Sequence, residues 1–301
     1  MNPHPRDERR YLDPTVIARI GTLDLRARSI VEGFLSGLHR SPFKGFSVEF
    51  AEYRQYMPGD DISTIDWKVF ARSDRYYVKK FEEETNLECH LLLDISRSMG
   101  YGSGAMTKLE YGACLAASLG YLMNRQRDAV GLIGFDDRIV ARLPPSSRPG
   151  HLRALLISLS RLELGLRTDV SKPLHQLADA LVKRGMVVLI SDLLDDPAAV
   201  IKGLKHFRFR GSDVIVFHVL DADEIRFPFE QASRFEDLET GEEVVAVPAL
   251  VRQHYLREMD GLIGRYRREL GAAGIDYCLV DTSQPLDLAL MAYLSSRGRS
   301  F

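Results

Sequence analysis

A chain of 301 residues with 45% hydrophobic and 27% charged residues can bury a full core, which excludes a disordered or fibrous polypeptide. Lys and Arg (40) nearly balance Asp and Glu (42), for a formal net charge of -2, so no domain-wide basic field exists to draw in nucleic acid or anionic lipid. Partners must be recognised by local chemistry.

Leu12-Asp13-Pro14 reads as a helix start, with Asp13 as cap and Pro14 in the first turn. Helix follows with a break near Gly21, and Ile30, Val31, Phe34, Leu35 and Leu38 keep helical spacing until Ser41-Pro42. Phe46, Val48 and Phe50 alternate with polar residues as a strand, Met57-Pro58-Gly59-Asp60 is a turn, and a second strand runs from Arg75 to Phe81. Residues 1–85 are therefore expected to form a helical leader and a small β-rich element.

From Glu88 strands and helices alternate, the pattern of a parallel sheet covered on both faces. Strands are expected around Leu91–Leu93, Val130–Phe135, Ile139–Leu143 (an edge), Met186–Ser191, Val214–Leu220 and Tyr277–Val280. Helices are expected over Lys108–Arg125, His151–Leu162, Lys172–Lys183, between Asp192 and Val214, over Pro248–Gly271 and over Pro285–Ser295. The turn Glu239-Thr240-Gly241-Glu242 marks a hairpin inserted at 225–247. The expected fold class is α/β, a doubly wound, mostly parallel sheet with helices on both faces, over residues 86–301.

Cys89, Cys114 and Cys278 lie in apolar segments without pairing or metal-ligand spacing, as in a reducing compartment. Met1 to Arg10 is polar and proline-containing, and no apolar run approaches the ~18 to 20 residues that cross a bilayer. The expectation is a cytoplasmic protein with no membrane span and no nucleic-acid partner.

In doubly wound sheets ligands gather beyond the carboxyl ends of the strands. There the chain places Asp94-Ile95-Ser96-Arg97-Ser98 after the first strand, Thr168-Asp169 in the loop before Lys172, and Asp192 after Met186–Ser191, with Asp195 and Asp196 close behind. Aspartate carboxylates and serine or threonine hydroxyls are hard oxygen donors, the kind that magnesium takes.

Asp94-x-Ser96-x-Ser98-Met99, a loop threonine and a strand-ending aspartate resemble the metal-ion-dependent adhesion site of von Willebrand factor A domains. The resemblance implies that Asp94, Ser96, Ser98, Thr168 and Asp192 hold Mg2+, or Mn2+ or Ca2+, and that a partner protein supplies an Asp or Glu to it. Leu166 and Arg167 stand where small residues often precede this threonine. Further upstream, Gly45, Glu49-Phe50, Arg54-x-Tyr56, Pro58-Gly59-Asp60-Asp61, Ile65-Asp66-Trp67 and Ala71-Arg72 resemble the bacterial family called domain of unknown function 58. Its members are often encoded beside MoxR-type AAA+ ATPases, which implies such an ATPase as partner and a protein-binding adaptor rather than an enzyme.

The competing enzyme reading is a magnesium-dependent phosphoryl-transfer hydrolase with Asp94 as nucleophile, but the second aspartate expected two residues on is Ser96. Gly100-x-Gly102-x-Gly104 misses the dinucleotide spacing and reads as a flexible loop, and no serine has a Gly-x-Ser-x-Gly elbow. His90 and His218 read as satisfied core residues, and Arg265, Arg267 and Arg268 as a solvated helix face.

Overall fold

The computed structural model describes residues 13–40, 53–55, 77–79, 88–165, 170–181, 185–238 and 241–297. They fall in two units, 1–39 with 87–301 and 40–86. In the smaller unit β1 (Tyr53–Gln55) pairs antiparallel with β2 (Tyr77–Lys79). The strand expected at 46–50 and the turn at 57–60 lie outside the described residues.

The larger unit is built on six strands: β3 (Glu88–Asp94), β4 (Ala129–Phe135), β5 (Ile139–Ser146), β6 (Met186–Ser191), β7 (Asp213–Leu220) and β10 (Asp276–Asp281). Their order is β10-β7-β6-β3-β4-β5, all parallel except β5, which runs antiparallel to β4 at the edge. An edge is where Pro144 and Pro145 of β5 cost least, because a proline donates nothing to a ladder. This is the doubly wound, mostly parallel α/β architecture expected from the alternation of elements.

Side chains alternate across each strand, so one strand feeds two cores. Leu91 and Leu93, Val188 and Ile190, and Ile215, Phe217 and Val219 point to one face. That face is covered by α3 (Lys108–Arg125), α4 (His151–Ser160) and α9 (Asp287–Arg297). Leu92, Val187, Leu189, Val214 and Val216 point to the other. There they meet α5 (Ser171–Ala180), α6 (Pro197–Phe209) and α8 (Pro248–Ala272). Strands buried on both sides must be apolar at every position, which is why β6 reads Met-Val-Val-Leu-Ile-Ser with no polar alternation. The expected insertion is a short helix α7 (Ala222–Arg226) and an antiparallel hairpin of β8 (Ser233–Glu236) and β9 (Glu243–Ala246).

Packing divides the chain differently from the boundary expected after residue 85. Helices α1 (Pro14–Ile17) and α2 (Leu23–Arg40) are separated by the break at Gly21, and they bury Ile17, Ala27, Ile30, Val31 and Phe34 in the first core. Helical periodicity revealed that apolar stripe but not which sheet it would cover. The leader therefore belongs with the α/β unit, and the second unit is confined to 40–86.

Where β5 crosses β4 the ladder shifts register between Val130 and Leu132. A Cβ at Gly131 would stand 2.8 Å from both the Leu143 carbonyl oxygen and the Pro145 nitrogen, which are backbone atoms that cannot swing aside. Gly131→Ala should therefore lower stability by about 1–3 kcal/mol, as overpacking does. A urea titration with an unchanged midpoint would show instead that the edge strand yields freely.

Candidate functional site

Strands β3 and β6 pair in the sheet although β4 and β5 come between them in sequence, so the winding reverses there, and in doubly wound sheets the crevice at the carboxyl ends of such a pair is where ligands collect. Asp94, the last residue of β3, is fully buried there. Its Oδ1 accepts from the Ser96 N–H at 2.8 Å and its Oδ2 from the Ser191 hydroxyl at 2.5 Å. The hydroxyls of Ser96 and Ser98 lie 3.1 Å apart, both buried. An Ile95 N–H bond to the Phe135 carbonyl (2.8 Å) fastens this loop to the end of β4.

Asp192, immediately after β6, is also fully buried, and its Oδ2 receives the Lys108 ammonium at 2.8 Å. Lys108 is the first residue of α3, set there by a capping box in which Thr107 and Glu110 satisfy each other's backbone N–H groups. A cation at a helix N-terminus opposes the helix dipole, and burial alone would strip the proton from a lysine. Burial does push Lys108 down, but Asp192 and Glu224 outweigh it and hold the ammonium charged. Glu224 accepts from Lys108 at 2.6 Å and, through its other oxygen, from the Asp221 N–H at 2.8 Å. His218 on β7 bridges the Asp192 carbonyl (2.8 Å) and the Tyr277 hydroxyl (2.7 Å), and burial lowers its pKa to about 4, so the ring is neutral. It is the satisfied core histidine expected, with the added effect of fixing the Asp192 backbone.

The run Asp192-Leu193-Leu194-Asp195-Asp196 separates into distinct roles. Asp195 Oδ2 accepts from the Val170 and Ser171 N–H groups at the start of α5. Asp196 caps α6 through the Ala198 and Ala199 N–H groups. Only Asp192 faces the Asp94 crevice, as its strand-end position indicates. Thr168 lies outside the described residues. Its described flanks are both tied to the crevice loops: the Gly165 N–H donates to the Ile95 carbonyl at 2.7 Å, and Val170 donates to Asp195 at 2.9 Å. A Cβ at Gly165 would collide with the Asp136 carboxylate, so only glycine permits that approach. The glycine-containing loop after Asp94, read as flexible, is anchored instead. Fully buried Asp221 accepts from the Ser103 N–H and hydroxyl, the Asp223 N–H and the Thr282 hydroxyl.

Sequence reasoning missed Lys108, Ser191, His218 and Glu224 as members of this cluster. Their positions carry a weak signal: a lysine opening the helix after the Asp94 loop, a serine closing the apolar β6, and a histidine inside the apolar run of β7.

The electrostatics follow from counting. Asp94, Asp192 and Glu224 against Lys108 leave two uncompensated negative charges when all four are ionised. Burying such an excess is costly, and a proton is one remedy. Burial, then Asp192, push Asp94 up to about 7 despite the opposing bonds from Ser191 and Ser96. A divalent cation is the other remedy, and the donors fit one: carboxylate and hydroxyl oxygens with no sulfur or nitrogen among them. Among the described residues no three His, Cys, Asp or Glu side chains cluster as ligands, so an ion here depends on Ser96 and Ser98 as well as the two aspartates.

Because Asp94 binds its proton more tightly folded (about 7) than unfolded (about 4), its contribution to stability is complete below about pH 4 and fades as pH rises towards 7. Metal-free wild type should thus lose stability relative to Asp94→Asn across that window in urea titrations. Parallel pH profiles for the two proteins would contradict the raised carboxyl.

Comparison with known proteins agrees with this architecture. An uncharacterized protein of Mycobacterium tuberculosis (strain ATCC 25618 / H37Rv) is 26% identical over 292 residues, covering 95% of this chain and 91% of its own. An uncharacterized protein of Mycobacterium bovis (strain ATCC BAA-935 / AF2122/97) matches to the same extent. The crystal structure of the conserved hypothetical protein BatB from Bacteroides thetaiotaomicron superposes with a TM-score of 0.50 at 19% identity, covering 70% of this chain and 99% of that one, which reflects a shared fold. Residues 52–260, more than half of the sequence, match the family described as "Protein of unknown function DUF58", and the chain belongs to that family.

Proposed function

We propose that this protein is a metal-dependent protein-binding adaptor that captures a partner's carboxylate through a divalent cation held by Asp94, Ser96, Ser98, Thr168 and Asp192. One observation carries the reading: loops distant in the chain bring two buried aspartates and two serine hydroxyls to the switch point with an excess of two negative charges. A bound dication supplies the missing positive charge and a coordination position for an Asp or Glu from outside. The chain's own residues keep that position ready. Lys108 and the His218 ring fix Asp192, Ser191 fixes Asp94, and Asp195 holds the start of α5 against the Asp192 loop.

The proposed partner is a MoxR-like AAA+ ATPase, by resemblance of this family to proteins encoded beside such enzymes. ATP-driven work in maturation or remodelling of other proteins then belongs to that chain, and this one provides attachment. No helix among the described residues is long and apolar enough to cross a membrane. The phosphoryl-transfer alternative needs Asp94 as an accessible nucleophile. Asp94 has no exposed surface and accepts a hydrogen bond on each oxygen, which favours a carboxylate that positions over one that attacks.

In a pull-down with a MoxR-like AAA+ ATPase, wild type should retain the partner in magnesium and release it in chelator. Asp94→Ala and Asp192→Ala should lose the magnesium-dependent fraction while keeping the far-ultraviolet spectrum of the folded chain. Retention by both variants equal to wild type rejects capture through the ion, and steady turnover of a phosphate ester with magnesium would move the assignment to the enzyme class.

A further inference from the structure

Beside the crevice, α7, the β8–β9 hairpin and α8 enclose a cavity of about 390 Å³ whose wall includes Ser98 and Leu194, so it opens off the same two loops. Its floor is aromatic. Phe227 is buried and stacks on Phe235 with centroids 5.6 Å apart, lies 4.6 Å from the Tyr255 ring, and meets Phe229 edge-on at 5.1 Å. Phe227 also takes a left-handed backbone, φ 47°, which a bulky residue adopts only when its surroundings impose it. Phe227 closes α7, so it is the end of that helix that carries the strain and seats the ring in the cluster.

The charged side chains that line the cavity are all acidic, while the nearby Arg252 guanidinium is taken up by the Phe229 carbonyl. Glu236 and Asp237 are exposed and Asp223 half-buried in the cavity wall. Glu224 is committed to Lys108. Tyr101, also in the wall, has its hydroxyl pushed up to about 12 by burial and then by Asp223, Asp221 and Glu224, which registers the same negative field. Aromatic faces ringed by carboxylates suit a guanidinium: it stacks flat on the rings and donates in pairs to the carboxylates. An anion is repelled, and an aliphatic group offers Asp223 and Glu236 no donor.

We infer that this cavity takes an arginine side chain from the same partner segment whose Asp or Glu engages the crevice, so that the recognised determinant is an acidic residue close to an arginine. The pairing rests on the carboxylate-capture reading; the arginine pocket itself rests on the aromatic, acid-lined cavity alone.

Nuclear magnetic resonance titration of the isotope-labelled full chain with acetyl-Asp-Gly-Arg-Gly-amide separates the two. In chelator the peptide should shift the amides of residues 235–238, and replacing its arginine with neutral citrulline, or the protein's rim with Glu236→Gln plus Asp237→Asn, should weaken binding about tenfold. Magnesium should tighten the aspartate peptide but not its asparagine analogue, and Asp94→Ala should remove that gain while leaving the chelator titration unchanged. No hairpin shifts, or citrulline binding as well as arginine, overturns the arginine pocket even if the magnesium gain persists. Hairpin shifts without any magnesium gain overturn the carboxylate reading and, with it, the paired determinant.

Discussion

Two aspartates of like charge, Asp94 and Asp192, are held in a crevice without solvent contact, and a single ammonium, Lys108, stands against them and Glu224. The rest of the site can be understood as a response to that imbalance. Hydroxyls from Ser96, Ser98 and Ser191 surround Asp94, a neutral His218 secures the Asp192 carbonyl, and Asp94 itself retains a proton up to about pH 7. Replacing such a cluster with apolar side chains is often neutral or stabilising, so its charges are not explained by stability. The proposed function gives the acidic excess at this strand switch point a role that stability does not.

The fold makes the imbalance possible. Every parallel strand terminates on, or one residue before, an aspartate: Asp94, Asp136, Asp192, Asp221 and Asp281. Three of them are consumed locally. Asp136 accepts from the Arg138 N–H, Asp221 gathers donors from three segments, and Asp281 takes the Ser283 N–H and the Arg226 guanidinium. The two on the adjacent strands β3 and β6 are left facing the same small volume, because strand order, not chain order, decides which loops meet.

That distinction also explains how far the sequence could be read. Continuous apolar runs such as Met186–Ser191, and the helical spacing of Lys108–Arg125 and Pro248–Ala272, report local structure and burial on both faces, so the doubly wound sheet was legible. The grouping of Asp94, Ser96, Ser98 and Asp192 as one set came from the resemblance, while the strand-end places of Asp94 and Asp192 and the loop that carries Ser96 and Ser98 were legible from the apolar runs before them. Lys108 was not, since a lysine at the first turn of a helix is ordinarily solvated and its two acids arrive from residues 192 and 224. The covering of the first core by α1 and α2 escaped for a similar reason: an apolar stripe announces that it will be buried, not against what. The aromatic cluster of Phe227, Phe229, Phe235 and Tyr255 assembles from a helix end, a hairpin and a distant helix, and no periodicity joins them.

A dication bound as proposed would replace the Asp94 proton in this crevice. Calorimetric titration of magnesium into the metal-free protein, repeated in buffers of different ionisation heat, counts the protons displaced. Close to one proton per ion should leave at about pH 6 and almost none at about pH 9, since Asp94 is protonated only below about 7. Saturable binding at about pH 6 with no proton release, or no binding at either pH, would contradict it.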